Sequence, residues 1–513
     1  MMSYFSMLIR CNLILWTLGI SAICPMLTHA KIESDVWDTQ VHSSSESYIL
    51  PTLGSQPGLI DQARDKAIGE AVLREINKEV PVVDDPLIQD DLERMYRRIY
   101  AQTLLGTPTA LLLIQDEEIN AFAVPGGLVA MNTGLLLSAD NADEVAGVLS
   151  HEIAHVSQRH YSRQTDAMKN QKWWALGGAI AAIALAKKDG DTSSALFMGT
   201  QASLMSQQLA YSRDNEREAD RVGMQLMQSA GYDPRAMPDF FEIMQKKTRM
   251  VGFVPSFILT HPLTSERISE ARLRANQYSL DQVRSASSIM NQSNSILGSA
   301  QLDAFHVMQL RVAAVTNTTN IAALIPQAKT DDAAALALAY LYQKAGRIVE
   351  ARKLVTPLLT RYPDSAYVTI TAAEIEIADN KSAIAIKLLE PLSRVMPESR
   401  PIIMTLARGY VLLGQGQTAI ELLRPWTLKR PQDIQLWQLM KEAAEKLPAT
   451  NKNAITVLRY RAEMLFWQGN IDSALRSLDR AEALADKKSV EFELIAQRTK
   501  YMEQKMKEKL KDL

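Results

Sequence analysis

Apolar residues recur along most of the chain at the three-and-four spacing of a single helix face, and the places where this spacing fails mark its organisation. Helical patterning starts near Leu59. Residues 109–136 change character: Ala110-Leu-Leu-Leu-Ile114 and Ala121-Phe-Ala-Val124 are short apolar runs bounded by turn signals, notably Pro125-Gly126-Gly127. They predict two or three strands of a small sheet. From Asn141 the helical pattern returns, with Asn141 as cap, Asp143 and Glu144 in the first turn, and Val145, Val148, Leu149 and Val156 at helical spacing. Trp173-Trp174 opens a fourteen-residue apolar run to Ala186, too short to span a bilayer. That run reads as a mobile lid over a cleft or as a core helix. A further helical stretch, Gln208 to Gln228, stops at Ala230-Gly231, and Asp233-Pro234 opens the next.

A polar stretch from about 283 to 300 separates this half from a wholly helical second half, which carries an internal repeat. Pro363, Pro397 and Pro431 are 34 apart, as are Pro357, Pro391 and Pro425, Ala351, Ala385 and Ala419, and Leu354, Leu388 and Leu422. Gly346, Asn380 and Gly414 fall at the turn inside each unit, and Gly469 and Ala474 recur in matching roles after an insertion. A helix–turn–helix unit of this period resembles the tetratricopeptide repeat. Such stacks curve into a concave surface, so the second half is read as a binding module, the alternative being a solenoid that props up the first half.

At 513 residues the chain is too long for one ordinary core. With 47% hydrophobic and 22% charged residues and a net charge of −2, it has the composition of a soluble globular protein. It offers no electrostatic case for a nucleic-acid partner. Among the first thirty residues Arg10 is the only charged side chain; an apolar run from Leu13 to Ile23 follows, and Thr28-His29-Ala30 precedes the charged Lys31-Ile32-Glu33. This predicts a secretory signal cleaved after Ala30, the run being short for a membrane anchor. Both cysteines, Cys11 and Cys24, lie in that leader, so the mature chain has no thiol, which suits an oxidising compartment. Bulky Ile23 makes Cys24 a poor lipoprotein site, and no later segment reaches membrane-spanning length. The expected division is a signal peptide at 1–30, an N-terminal segment at 31–58, a first domain at 59–282, a linker at 283–304 and a repeat domain at 305–513.

The most informative stretch is His151-Glu152-Ile153-Ala154-His155. Residues four apart share a helix face, so two imidazoles can grip one zinc ion while Glu152 reaches its water. A catalytic zinc needs a third protein ligand and an open position. His160, five residues beyond His155, is rotated off the shared face of a continuing helix and reads as a solvated or packed histidine. Glu216 and Asp220, four apart on the second helix, suit the remaining roles better: Glu216 completes a two-histidine, one-carboxylate set, and Asp220 accepts a hydrogen bond from a ligating histidine. Glu218 points elsewhere on that helix. An acid-rich helix face that is merely solvated is the competing reading.

His151-Glu-Ile-Ala-His155, followed by Glu216-Arg-Glu-Ala-Asp220, resembles the M48 family of zinc metallopeptidases, and Asn120-Ala-Phe-Ala-Val-Pro-Gly-Gly127 and Tyr211-Ser-Arg213 match the flanks of that family's motifs. The similarity covers about residues 60–275. The expected fold is therefore mainly α, a zincin-like α+β metallopeptidase domain with a small sheet followed by an all-α tetratricopeptide-repeat solenoid. The resemblance implies one Zn2+ per chain held by His151, His155 and Glu216, with catalysis by Glu152 and support from Asp220. It is closest in kind to the family's soluble periplasmic branch. That implies a periplasmic protein, without a transmembrane span in its mature chain and peripheral to the outer membrane, that degrades or rescues outer-membrane proteins stalled in assembly. The repeats would then meet the barrel assembly machinery, with chaperone-like activity beside proteolysis.

Peptide hydrolysis also needs a donor to the carbonyl oxygen, for which Tyr211, Arg213 and His261 are unranked candidates. The strand Ala121, Phe122, Ala123 and Val124 offers a backbone edge for extended substrate, unless it is internal to the sheet. His261, in the loop sequence His261-Pro-Leu-Thr264, reads either as a latch that fills the open zinc position or as a capping or substrate-contacting histidine. The competing function is a chaperone or scaffold with a structural or vestigial zinc site.

Overall fold

The computed structural model describes residues 59–161, 213–251, 256–278, 288–291 and 302–508. The leader, the 173–186 run and most of the 283–304 linker lie outside them. Two helices open the described chain, α1 (Leu59–Glu79) and α2 (Pro86–Tyr100), followed by strands β1 (Ala110–Ile114), β2 (Ala121–Val124) and β3 (Leu128–Asn132). Next come α3 (Thr133–Ser138), α4 (Ala142–Ser157), α5 (Arg213–Ser229), α6 (Ala236–Val251), α7 (Ser256–Thr260) and α8 (Ser265–Ala275). Among the described residues no helix is long and apolar enough to cross a membrane.

The sheet has the order β1-β3-β2, with β1 parallel to β3 and β2 antiparallel to it. Its strands read as unbroken apolar runs because both faces are covered. Leu111, Leu113, Ala121, Ala123, Val129 and Met131 join one core with α2 and α4. The alternate residues Leu112, Ile114, Val124, Leu128 and Ala130 join a second core that contains α1 residues and also Phe466 and Trp467, more than 300 positions downstream.

The second half is built of α9 (Ala304–Val315), α10 (Ile321–Gln327), α11 (Asp332–Lys344), α12 (Ile348–Arg361), α13 (Ala366–Ala378), α14 (Ser382–Val395), α15 (Arg400–Leu412), α16 (Gly416–Lys429) and α17 (Ile434–Ala444). The stack ends with α18 (Asn451–Trp467), α19 (Ile471–Leu484) and α20 (Val490–Lys507). The helix starts at Asp332, Ala366, Arg400 and Ile434 repeat the 34-residue period of the sequence. Each unit turns on a left-handed residue, Gly346, Asn380 and Gly414, with φ of 73°, 58° and 77°. There the next amide bonds back five residues, as in Arg347 N to Tyr342 O, 2.8 Å, which ends the helix in a Schellman turn. Ala351, Ala385 and Ala419 are fully buried where paired helices touch, so a larger side chain at any of them would force the pair apart.

The solenoid packs against the first half, and the described residues form one compact unit. Asp85 shows how closely the halves are joined. One oxygen of its carboxylate caps α2, accepting from Leu87 N and Ile88 N at 3.1 and 3.2 Å; the other accepts from Arg311 Nε at 2.8 Å. Arg311 Nη2 also donates to Glu374 at 3.0 Å. The outer edge of β1 is closed by side chains as well: Gln432 of the repeats donates to Thr109 O at 2.7 Å, and Gln89 donates to Leu111 O. Capping a strand edge in this way prevents unwanted strand pairing. Part of the solenoid's surface is therefore occupied by its own first half.

Two substitutions separate packing from backbone conformation. Arg311→Ala leaves Asp85 buried without its cation and should lower stability by about 3–5 kcal/mol. Gly414→Ala, with a φ of 77° in open space, should cost only about 1–2 kcal/mol. Urea unfolding of the full-length chain measures both.

Candidate metal centre

Helix α4 starts from a cap in which Asn141 Oδ1 accepts from Glu144 N at 3.1 Å, while the Glu144 carboxylate accepts from Asp140 N at 2.7 Å. Buried on almost all sides, the helix presents His151, Glu152 and His155 within the protein, each no more than 1% exposed. Helix α5 crosses it closely. A Cβ on Gly223 would lie 3.2 Å from both the His151 amide nitrogen and the Ser150 carbonyl carbon, so any side chain there would push the helices apart. Glu216 and Asp220 lie seven and three residues before Gly223, on the face that meets α4.

This crossing brings the acids to the imidazoles. His151 Nε2 lies 3.0 Å from His155 Nε2, and His155 Nε2 lies 3.4 Å from Glu216 Oε1. His261, just after α7 and stacked on Phe257 with ring centroids 4.6 Å apart, completes the group. Its Nδ1 is 3.0 Å from Glu216 Oε1 and 3.3 Å from His151 Nε2. One donor atom from each of these four buried residues falls within 4.8 Å of the other three. Zinc–nitrogen bonds of about 2.0–2.1 Å imply tetrahedral edges of about 3.3–3.4 Å, close to these separations. The donor set therefore fits a small tetrahedral cation.

Behind the donors, His151 Nδ1 is 3.0 Å from Asp220 Oδ1. Arg267 on α8 holds Asp220 through two bonds of 2.6 and 2.8 Å and reaches Glu216 Oε2 at 2.6 Å. Burial alone would raise the pKa of Glu216, but the charges of His261 and Arg267 hold it well below the usual carboxylate range. Asp220 is buried likewise and is kept low by Arg267. Burial drives the His155 pKa well down, leaving a neutral ring with a lone pair to donate. Burial acts on His151 in the same direction, yet its bonds to Asp220 and Glu216 prevail and push it up to about 9. Burial raises the Glu152 pKa, as suits a proton acceptor, and the Ala123 N–H of β2 hydrogen-bonds its carboxylate.

The profile of Peptidase family M48 matches residues 86–275. The chain is 32% identical over 442 residues to the "Beta-barrel assembly-enhancing protease" of Yersinia pestis, covering 85% of this chain and 87% of that protein. It belongs to peptidase family M48. A "Putative beta-barrel assembly-enhancing protease" of Vibrio cholerae is 31% identical, with 85% and 88% covered. The "Mitochondrial metalloendopeptidase OMA1" of Arabidopsis thaliana is 30% identical over 236 residues, 45% of each chain. The protein is a metalloendopeptidase.

Within this M48 fold the sequence-predicted residues divide clearly. His151, Glu152, His155, Glu216, Asp220 and His261 converge. Arg213 is exposed at the start of α5, and Tyr211 lies outside the described residues. Strand β2 stands at the sheet edge. Asn120 O accepts from Asn132 N at 2.9 Å, so by alternation Ala121 and Ala123 turn their backbone groups away from β3. His160 is packed, being fully buried, but it is not turned away from the pair: its Nδ1 lies 2.9 Å from His155 Nδ1. Glu218 misses the donor set but accepts from His160 Nε2 at 2.9 Å. Sequence reasoning missed Arg267 altogether. The available signal was an arginine three residues after Thr264, whose side chain caps α8 at the Arg267 amide.

Gly223→Val should destabilise the protein by about 1–3 kcal/mol through overpacking and weaken zinc retention by parting α4 from α5. Thermal unfolding together with zinc titration against a chromogenic chelator tests this; unchanged zinc binding would contradict it.

Proposed function

We propose that this metallopeptidase is a periplasmic zinc enzyme that cleaves outer-membrane β-barrel proteins stalled during assembly. The convergence of His151, His155 and Glu216 beside the Glu152 carboxylate carries the hydrolytic part of this reading. The names of the Yersinia and Vibrio relatives support the substrate class, and the signal-like leader supports the compartment. One Zn2+ per chain would be held by His151, His155 and Glu216, with Asp220 orienting His151. When bound, zinc supplies Lewis acidity toward water and the scissile carbonyl.

The chain's own groups account for the remaining needs. Glu152 takes a proton from the attacking water and passes it to the leaving amine. Extended substrate adds to the edge of β2 through the outward groups of Ala121 and the Ala123 carbonyl, beside Phe122 and Val124, the Ala123 N–H being held by Glu152. That edge suits unfolded strand-forming clients, whose own edges are unpaired before closure. His261 serves as a latch: it fills the fourth corner of the donor set, and its Nε2 lies 3.4 Å from Glu152 Oε1, where water must otherwise sit. The exposed surface of the repeats contacts the outer-membrane assembly machinery, holding the enzyme peripheral to the outer membrane.

Four protein donors also describe a closed structural site, and that count is the observation behind a second reading, a repeat-bearing chaperone or scaffold whose zinc is structural. Two variants separate them. Glu152→Gln should keep one zinc per chain while casein cleavage falls by about 10²–10⁴-fold; undiminished client protection with no cleavage by the wild type would favour the scaffold. His261→Ala should speed cleavage severalfold if His261 is a latch. Loss of zinc with no gain in cleavage would sink that role. Stripping zinc with a chelator should abolish cleavage, and adding zinc back should restore it.

A further inference from the structure

His160 and Glu218 have no place in the proposed chemistry, yet they are built into the centre. Helix α4 ends at Ser157, and Arg159 adopts a left-handed φ of 54°. That turn folds the chain back and sets His160 beneath His155 instead of letting it rotate away. The ring nitrogens His160 Nδ1 and His155 Nδ1 then lie 2.9 Å apart, and His160 Nε2 lies 2.9 Å from Glu218 Oε2. His160 is fully buried, and the Glu218 side chain is 13% exposed.

We propose that Glu218 and His160 form a positioning relay that fixes the tautomer and aim of His155, an inference that rests on the zinc-site reading above. An ionised carboxylate only accepts, so His160 Nε2 carries the proton that faces Glu218. In a neutral ring this leaves His160 Nδ1 as an acceptor, and the nitrogen facing it, His155 Nδ1, must be the donor. His155 Nε2 is then left with its lone pair toward the donor set. The assignment holds from the other end as well: a neutral imidazole that binds a cation through Nε2 keeps its proton on Nδ1 and needs an acceptor there.

The relay gives the two imidazoles of the motif separate supports from one helix. His151 leans directly on Asp220, whereas His155 Nδ1 meets His160 and reaches Glu218 through it. Glu216, Glu218 and Asp220 thus act in one turn of α5, as ligand, relay end and direct support.

Zinc affinity by chelator competition and the visible spectrum of the Co2+-substituted protein test the relay without reference to activity. His160→Leu should weaken Zn2+ binding by about 10–100-fold, the usual effect of removing a ligand's hydrogen-bond partner, and should alter the Co2+ bands. His160→Asn keeps an acceptor near the Nδ1 position and should recover most of the affinity. Glu218→Ala should weaken binding, and combining it with His160→Leu should add little further loss, as for groups acting in series. Equal affinity for the Leu and Asn variants, with both folded by circular dichroism, overturns the relay while leaving the zinc site standing. A wild-type protein that binds neither ion overturns the zinc-site reading and the relay with it.

Discussion

The close crossing of α5 over α4 sets the geometry of the whole centre. Two imidazoles four residues apart can aim at one point from a single helix, but the third donor must arrive from another element at a defined height. Gly223 lets the backbones approach, and the spacing from Gly223 back to Asp220 and Glu216 sets which carboxylates face His151 and His155. The crossing also gathers Glu152, Glu216 and Asp220 out of water. Burying carboxylates is costly unless cations accompany them, and Arg267 supplies one from α8, with its guanidinium over the Phe241 ring at 5.0 Å.

The second half of the chain stabilises the same arrangement from behind. The sheet under α4 has two apolar faces, and a core containing Phe466 and Trp467 covers the face turned away from the centre. Asn77 Nδ2 donates to Trp467 O at 2.9 Å, and Arg74 stacks over the Phe466 ring. A solenoid that completes the core of its neighbour is not a freely swinging adaptor. Motion of the repeats would strain the sheet whose edge strand β2 lies beside Glu152, so the two halves are mechanically joined through that sheet.

Much was legible in the chain itself. The two short apolar runs, the Asn141 cap, the 34-residue helix period and the turns at Gly346, Asn380 and Gly414 are local properties, set by neighbours a few residues away. The pairing of His151 with His155 is local for the same reason. His160 shows where such reasoning stops: projecting five residues along a continuing helix fails because Arg159 ends the helix with a single left-handed residue.

Which residues could be neighbours along one helix face follows from their order in the chain, because that depends only on backbone periodicity. Tertiary structure decided which faces meet: that Glu216, His261 and Arg267 arrive at the His151–His155 pair, that Glu218 reaches His155 through His160, and that β2 rather than β3 lies at the edge. Those outcomes depend on helix crossings and strand order between residues dozens to hundreds of positions apart. No short-range pattern encodes them, since each is set by how whole apolar surfaces pack together.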